Sequence, residues 1–264
     1  MINGAVRGRP IRLWWSSEGD GEPVLLLMGL GLAWTAWGGT ARRLRERHRV
    51  VVLDNPGAGR SARARGRLTT SSLADGVAGV LDDAGIPAAH VYGVSLGGMV
   101  AQELALRHPG RVRSLILGCT LAGGAGTRRP GRRVLASLVG MPSLRRRPGW
   151  MLVSDGYRAS HGDTAAELAE EAFAGAASVT GTLRQLAAVA THDASGRLSG
   201  LRTPTLVLHG TGDLIVPVAN AHRLAALIPG AQLRLYPGAG DAYILEAEEQ
   251  ALRDVEAFIG ARPR

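Results

Sequence analysis

The sequence predicts an α/β protein built on a mostly parallel, doubly wound sheet, with a helical cap inserted into it. Three observations predict this. Short apolar runs alternate with helix-patterned stretches, and the runs end in glycine or proline turns. The alternation then stops over 122–199, where helical patterns follow one another with no convincing strand. The expected division is a core of 1–121 and 200–264, with 122–199 as the cap.

The elements follow in order. IRLWWSS (11–17) reads as an antiparallel first strand. PVLLLMG (23–29), RVVVLDN (49–55), HVYGVS (90–95), VRSLILGC (112–119), TPTLVLHG (203–210) and AQLRLYPG (231–238) read as buried strands. A strand covered on both faces carries an unbroken Val/Leu/Ile run, because neither side meets water. Helical patterns at about 35–47, 70–84, 96–108, 218–228 and 246–259 lie between the strands. Three more, near 131–140, 163–175 and 178–191, fill the insertion.

Composition bounds the function classes. A chain of 264 residues suits one core domain with an insertion. Its 45% hydrophobic and 20% charged residues suit a globular core and argue against a disordered or fibrous chain. The N-terminal stretch has no continuous apolar segment of the kind a signal peptide needs, and no apolar run approaches the ~18 residues of a membrane span, so a cytoplasmic protein without membrane association is expected. The single cysteine, Cys119, supports neither a disulfide framework nor a cysteine metal cluster. Net charge is +9, and every basic residue is arginine. A GC-rich coding sequence explains much of that excess. The functional reading is a basic surface, with Arg128, Arg129, Arg132, Arg133, Arg145, Arg146 and Arg147 attracting an anionic substrate or partner. Nucleic acid is not expected, because no helix-turn-helix, zinc finger or aromatic RNA-binding signature accompanies the charge.

Ligands in α/β sheets bind outside the carboxyl ends of the parallel strands. Gly93-Val94-Ser95-Leu96-Gly97 fits G-x-S-x-G between a strand and a helix, which makes Ser95 a candidate nucleophile on a tight elbow. The helix start behind it favours developing negative charge. In LLLMGLGLAWTAW, the amide of Leu30 is placed to converge with that of Leu96 on an oxyanion, and Trp34 and Trp37 are expected either at the pocket mouth or packed under a helix. DNPGAGRS (54–61) reads as a structural turn. Asp213, in LHGTGDLIVP, sits in a turn after a buried strand, where a carboxylate can orient a base.

Together MGLG, DNPGAGRS, GVSLGG, LALRHPGRVRSLILGCT and HGTGDLIVP resemble the α/β-hydrolase superfamily over nearly the whole chain. Within it the chain looks most like the small cap-bearing esterases, lactonases and C–C hydrolases, including many from bacterial natural-product pathways. The resemblance implies a helical cap, no metal and no organic cofactor. It implies a small or medium substrate with an ester, lactone or activated carbonyl, of which a natural-product intermediate is one case. It assigns Ser95 as nucleophile and Asp213 as acid. The arginine-rich cap adds an acidic carrier protein as a docking partner.

The family's base follows the last strand in a phrase like GxGH, and here the phrase is Gly238-Ala239-Gly240-Asp241. The formal triad is Ser95, Asp213, Asp241. Imidazole takes the serine proton on one nitrogen and donates to the acid from the other, with a pKa near neutrality. A carboxylate, with a reference pKa of about 3.9, is a far weaker base. Four readings stay open: slow hydrolysis with Asp241 or a water as base, elimination or cyclisation driven by a carboxylate base, an introduced substitution that traps substrate, and ligand binding without turnover. A displaced base, His192 or His209, is weighed against a structural role for each, and the structural role is favoured.

Overall fold

The computed structural model describes residues 2–5, 11–62, 64, 66–139, 151–162 and 175–261. The apolar runs become β3 (Pro23–Leu27), β4 (Arg49–Leu53), β5 (Ala89–Val94), β6 (Val112–Gly118), β7 (Thr205–Gly210) and β8 (Gln232–Tyr236). They follow β1 (Ile2–Ala5) and β2 (Trp14–Glu18). One eight-stranded sheet results, in the order β1-β2-β4-β3-β5-β6-β7-β8. β1 and β2 pair antiparallel, β2 pairs antiparallel to β4, and β4 through β8 run parallel. The carboxyl ends of β3 to β8 therefore share one edge of the sheet.

Alternate residues of each strand feed opposite layers, as period-two geometry requires. Leu25, Val51, Val91, Leu115 and Val207 point to one core, shared with α2 (Thr70–Asp83), α3 (Leu96–Arg107) and α6 (Ala219–Leu227). Leu26, Val52, Tyr92, Ile116 and Leu208 point to the other, shared with α1 (Gly38–Leu44) and α8 (Glu248–Gly260). Both faces are covered, and so the central strands carry no polar stripe.

Between β6 and β7 the described residues hold α4 (Arg132–Val139), helical backbone at 155–162 and α5 (Val179–Ala190), with one isolated bridge, Gly123 to Asp193. α4 and α5 match the helical patterns near 131–140 and 178–191, the helical backbone at 155–162 was not expected, and most of the pattern at 163–175 lies outside the described residues. Arg128, Arg129, Arg132 and Arg133 are exposed, and Arg145, Arg146 and Arg147 lie outside the described residues. β1 is an addition to the expected elements. The helix expected at 246–259 is α8, and a separate short helix, α7 (Tyr243–Glu246), precedes it. The helix expected from 35 starts as a 3-10 turn, Trp34–Trp37, before α1. No described helix is long and apolar enough to cross a membrane.

Candidate active site at the carboxyl edge of the sheet

Ser95 joins β5 to α3 with φ 52° and ψ −118°, a conformation that L-residues rarely adopt. Glycines around it make the turn possible. A Cβ on Gly97 would overlap the Leu27 carbonyl, and one on Gly93 would overlap Gly97. Gly29 faces Ser95 closely, its Cβ position being 3.3 Å from the serine Cβ. The Ser95 amide donates to Gly118 O at 2.9 Å, and its carbonyl accepts from Thr120 Oγ1 at 2.7 Å. The side chain is half-buried.

The loop after β3 carries Leu30. Asn55 Nδ2 donates to Met28 O at 2.9 Å and to Gly29 O at 3.4 Å. The peptide is trans, so the Leu30 N–H points away from the carbonyl that Asn55 holds. Leu96 opens α3, and its amide therefore has no acceptor within the helix. Trp34 is half-buried, its amide donates to Asp54 Oδ1 at 2.9 Å, and its ring is tilted against Trp14 at 6.2 Å. Trp37 corrects the mouth expectation. It is 1% exposed and lies 4.8 Å from the Tyr92 ring in the lower core, because the short 3-10 turn rotates it inward. DNPGAGRS is a structural turn, as expected: Asp54 accepts from the Trp34 and Arg60 amides, and Ser61 Oγ donates to Asp54 O.

Asp213 is 6% exposed. Its Oδ1 accepts from the amides of Ile215 and Val216, both at 2.8 Å. Its Oδ2 lies 3.1 Å from His209 Nε2. That nitrogen also lies 2.7 Å from Val216 O, an acceptor only, so Nε2 carries the proton. His209 is thereby engaged in holding the Asp213 turn. His192 bonds Thr70 Oγ1 through Nδ1 at 3.0 Å, where the insertion returns to the core. Burial pushes its pKa down to about 4, so it is a neutral ring in a buried joint.

Asp241 is half-buried in the turn after β8. This turn leans on the Asp213 turn, since Gly212 N donates to Ala239 O at 2.8 Å and Gly238 N to Thr211 Oγ1 at 2.8 Å. On its other side it meets the insertion. Ala242 N donates to Leu152 O at 2.8 Å. Glu246 Oε1 accepts from Gly240 N at 2.8 Å and Ser154 N at 3.1 Å, while Oε2 accepts from Ser154 Oγ at 2.5 Å. Below the turn, Tyr243 OH meets Tyr92 OH at 2.7 Å, and the Tyr243 ring stacks on Tyr236.

Cys119 brings these parts together. It is buried, with φ 34°, at the end of β6. Burial, then the Asp241 and Asp213 charges, push its thiol pKa well up. The thiol is hydrogen-bonded to Asp241, and the Ser95 backbone adjoins it. The Asp241 carboxylate and the Ser95 backbone thus lie beside this buried thiol, and the charge of Asp213 is felt there. Cys119 and Glu246 are marked in the sequence only by lying near strand-end turns, and nothing in the sequence marks Gln185, in the middle of α5. Among the described residues, no cluster of three metal-ligating side chains occurs.

Comparisons with known proteins agree with this fold. The family described as alpha/beta hydrolase fold matches residues 22–146. The chain is 33% identical over 234 residues to the protein named as the carbamate hydrolase RutD of Azorhizobium caulinodans, covering 84% of each chain. It is 34% identical over 251 residues to part of the polyketide synthase ThaQ of Burkholderia thailandensis, a match spanning 91% of this chain and 12% of that one. Among solved structures, a thermophilic esterase from Thermogutta terrifontis is 26% identical, with a TM-score of 0.81 and 98% of both chains covered. A strained serine turn at the carboxyl edge of a mostly parallel sheet and relatives of near-equal length lead to one conclusion: the chain belongs to the α/β-hydrolase superfamily and is an enzyme of that fold.

Proposed function

We propose that the enzyme acts on a small or medium ester, lactone or activated carbonyl compound, in secondary metabolism, with 122–199 as a cap over a Ser95/Asp213/Asp241 site. The observation that carries this reading is the strained Ser95 elbow beside Gly29. A positive φ on a serine costs about 1–3 kcal/mol and persists where the surroundings enforce it. The match to part of a polyketide synthase supports the metabolic setting, and the exposed arginines at 128–133 support an acidic carrier protein as partner.

In this reading Ser95 Oγ attacks the carbonyl carbon, and the Leu30 and Leu96 amides take up the charge on oxygen. The serine proton passes to Asp241, directly or through a water. The carboxylic acid so formed protonates the leaving group, and water then releases the acyl group from Ser95. Asp213 fixes the turn on which Asp241 rests. A carboxylate is a poor partner for a hydroxyl, so the serine route is slow. The carboxylate standing in the GAGD phrase, where the resemblance places an imidazole, favours a second reading. There Asp241 takes a proton from the substrate itself, in an elimination or cyclisation, and the oxyanion amides stabilise the enolate.

One paired assay separates the two. The protein and its Asp241→His variant are treated with a fluorophosphonate probe and offered activated esters. The serine route predicts that histidine raises Ser95 labelling and ester hydrolysis at least ~100-fold, as restoring a triad base should. A folded variant that stays silent sinks that route and leaves Asp241 as a base acting on substrate.

A further inference from the structure

We propose that Gln185, on α5 of the insertion, is a positioning residue that aims the Leu30 loop. This rests on the reading of Leu30 as an oxyanion donor. Gln185 is 0% exposed. Its Oε1 accepts from Gly31 N at 2.7 Å, and its Nε2 donates to Pro56 O at 2.9 Å. One buried amide thus ties together the loops after β3 and β4, across 154 and 129 residues of sequence. The same insertion segment binds the other side of Gly31, because Ala177 N donates to Gly31 O at 2.8 Å. Gly31 has φ 73°, so its peptide planes are turned sharply against each other.

The consequence follows from peptide geometry. The loop offers two consecutive amides, those of Leu30 and Gly31. Gln185 takes the second, and Asn55 holds the carbonyl that shares a plane with the first. With both planes pinned, only the Leu30 N–H is left for a ligand beside Ser95. Without Gln185 the Gly31 amide would be a buried, unsatisfied donor, and the loop would turn to satisfy it. The insertion therefore does more than cover the site: it sets the direction of one of the two proposed oxyanion donors.

The test uses the intact chain. Amide hydrogen exchange at Gly31 and Ala177 is followed by NMR in the native protein, in Gln185→Met, which keeps length and packing, and in Gln185→Glu, which keeps an acceptor. Gln185→Met lowers protection at Gly31 about tenfold or more and leaves Ala177 protected, and Gln185→Glu restores much of the Gly31 protection. In an Asp241→His background, Gln185→Met slows fluorophosphonate labelling of Ser95 about tenfold or more, and Gln185→Glu recovers part of it. Unchanged Gly31 protection overturns the proposal. Equal loss at Gly31 and Ala177 overturns it too, since Gln185 would then support the insertion as a whole. Unslowed labelling in Gln185→Met also counts against it. If Asp241→His never labels, the serine reading fails, and the Gly31 exchange still decides the role of Gln185.

Discussion

At the scale of single residues, the elbow stores strain that a mutation can release. Ser95 holds φ 52° and ψ −118°, where a side chain is costly and glycine is at ease. Ser95→Gly is expected to stabilise the protein by about 1 kcal/mol, net of the extra freedom that glycine gives the unfolded chain. Urea denaturation measures it, and a lower midpoint in Ser95→Gly would mean that the elbow is not strained. The same scale shows what was readable in advance. Ser95, Asp213 and Asp241 stand out as candidates because each follows a strand end in a recognisable phrase. Cys119 escaped notice because a buried cysteine at a strand end looks like any small apolar residue. Gln185 escaped because its partners are main-chain groups, which no side-chain pattern advertises. Trp37 was given two places because one turn of helix geometry decides whether an aromatic ring faces a pocket or a core.

At the scale of elements, the break between α7 and α8 has a cause. The pattern over 246–259 predicts α8 to within two residues, but Glu246 belongs to the separate turn before it, and its carboxylate accepts from Gly240 N, Ser154 N and Ser154 Oγ. This clasp joins the Asp241 turn to the 151–154 segment. Glu246→Ala removes three hydrogen bonds to a charged acceptor and is expected to cost about 2 kcal/mol, with Glu246→Gln recovering about half. Thermal denaturation of both variants checks this, and an unshifted midpoint for Glu246→Ala would leave the clasp without weight. The central strands were legible within one to three residues because both faces are buried and the apolar runs are unbroken. β1 was not, since Ile-Asn-Gly-Ala carries neither alternation nor β-branched enrichment beyond one residue, and among the described residues its one strand partner is β2.

At the scale of the whole molecule, acid should loosen the joint between insertion and core. His192 is buried beside Thr70, within reach of the charges of Glu103, Arg197 and Asp193, and burial holds its pKa at about 4 against about 6.5 unfolded. The unfolded chain therefore binds a proton that the folded chain refuses between those values. Stability from this group is complete above about pH 6.5 and falls as pH drops toward 4, by about 3 kcal/mol in all. Urea midpoints from pH 7 to pH 4 should fall more steeply for the native protein than for His192→Asn. Equal slopes would show that His192 is not the acid-sensitive group.

The sheet order also has a consequence in time. Ile116 of β6 pairs with Leu206 of β7, about ninety residues later, with the whole insertion between them. At synthesis rates of about 5–20 residues per second, the outer edge of β6 waits on the order of ten seconds for its partner. During that wait the nascent chain carries a finished elbow next to a bare strand edge, open to any other extended chain nearby. The ribosome-bound half is thus an aggregation-prone form of this protein, and a chaperone that covers the β6 edge until β7 arrives is expected to raise its yield.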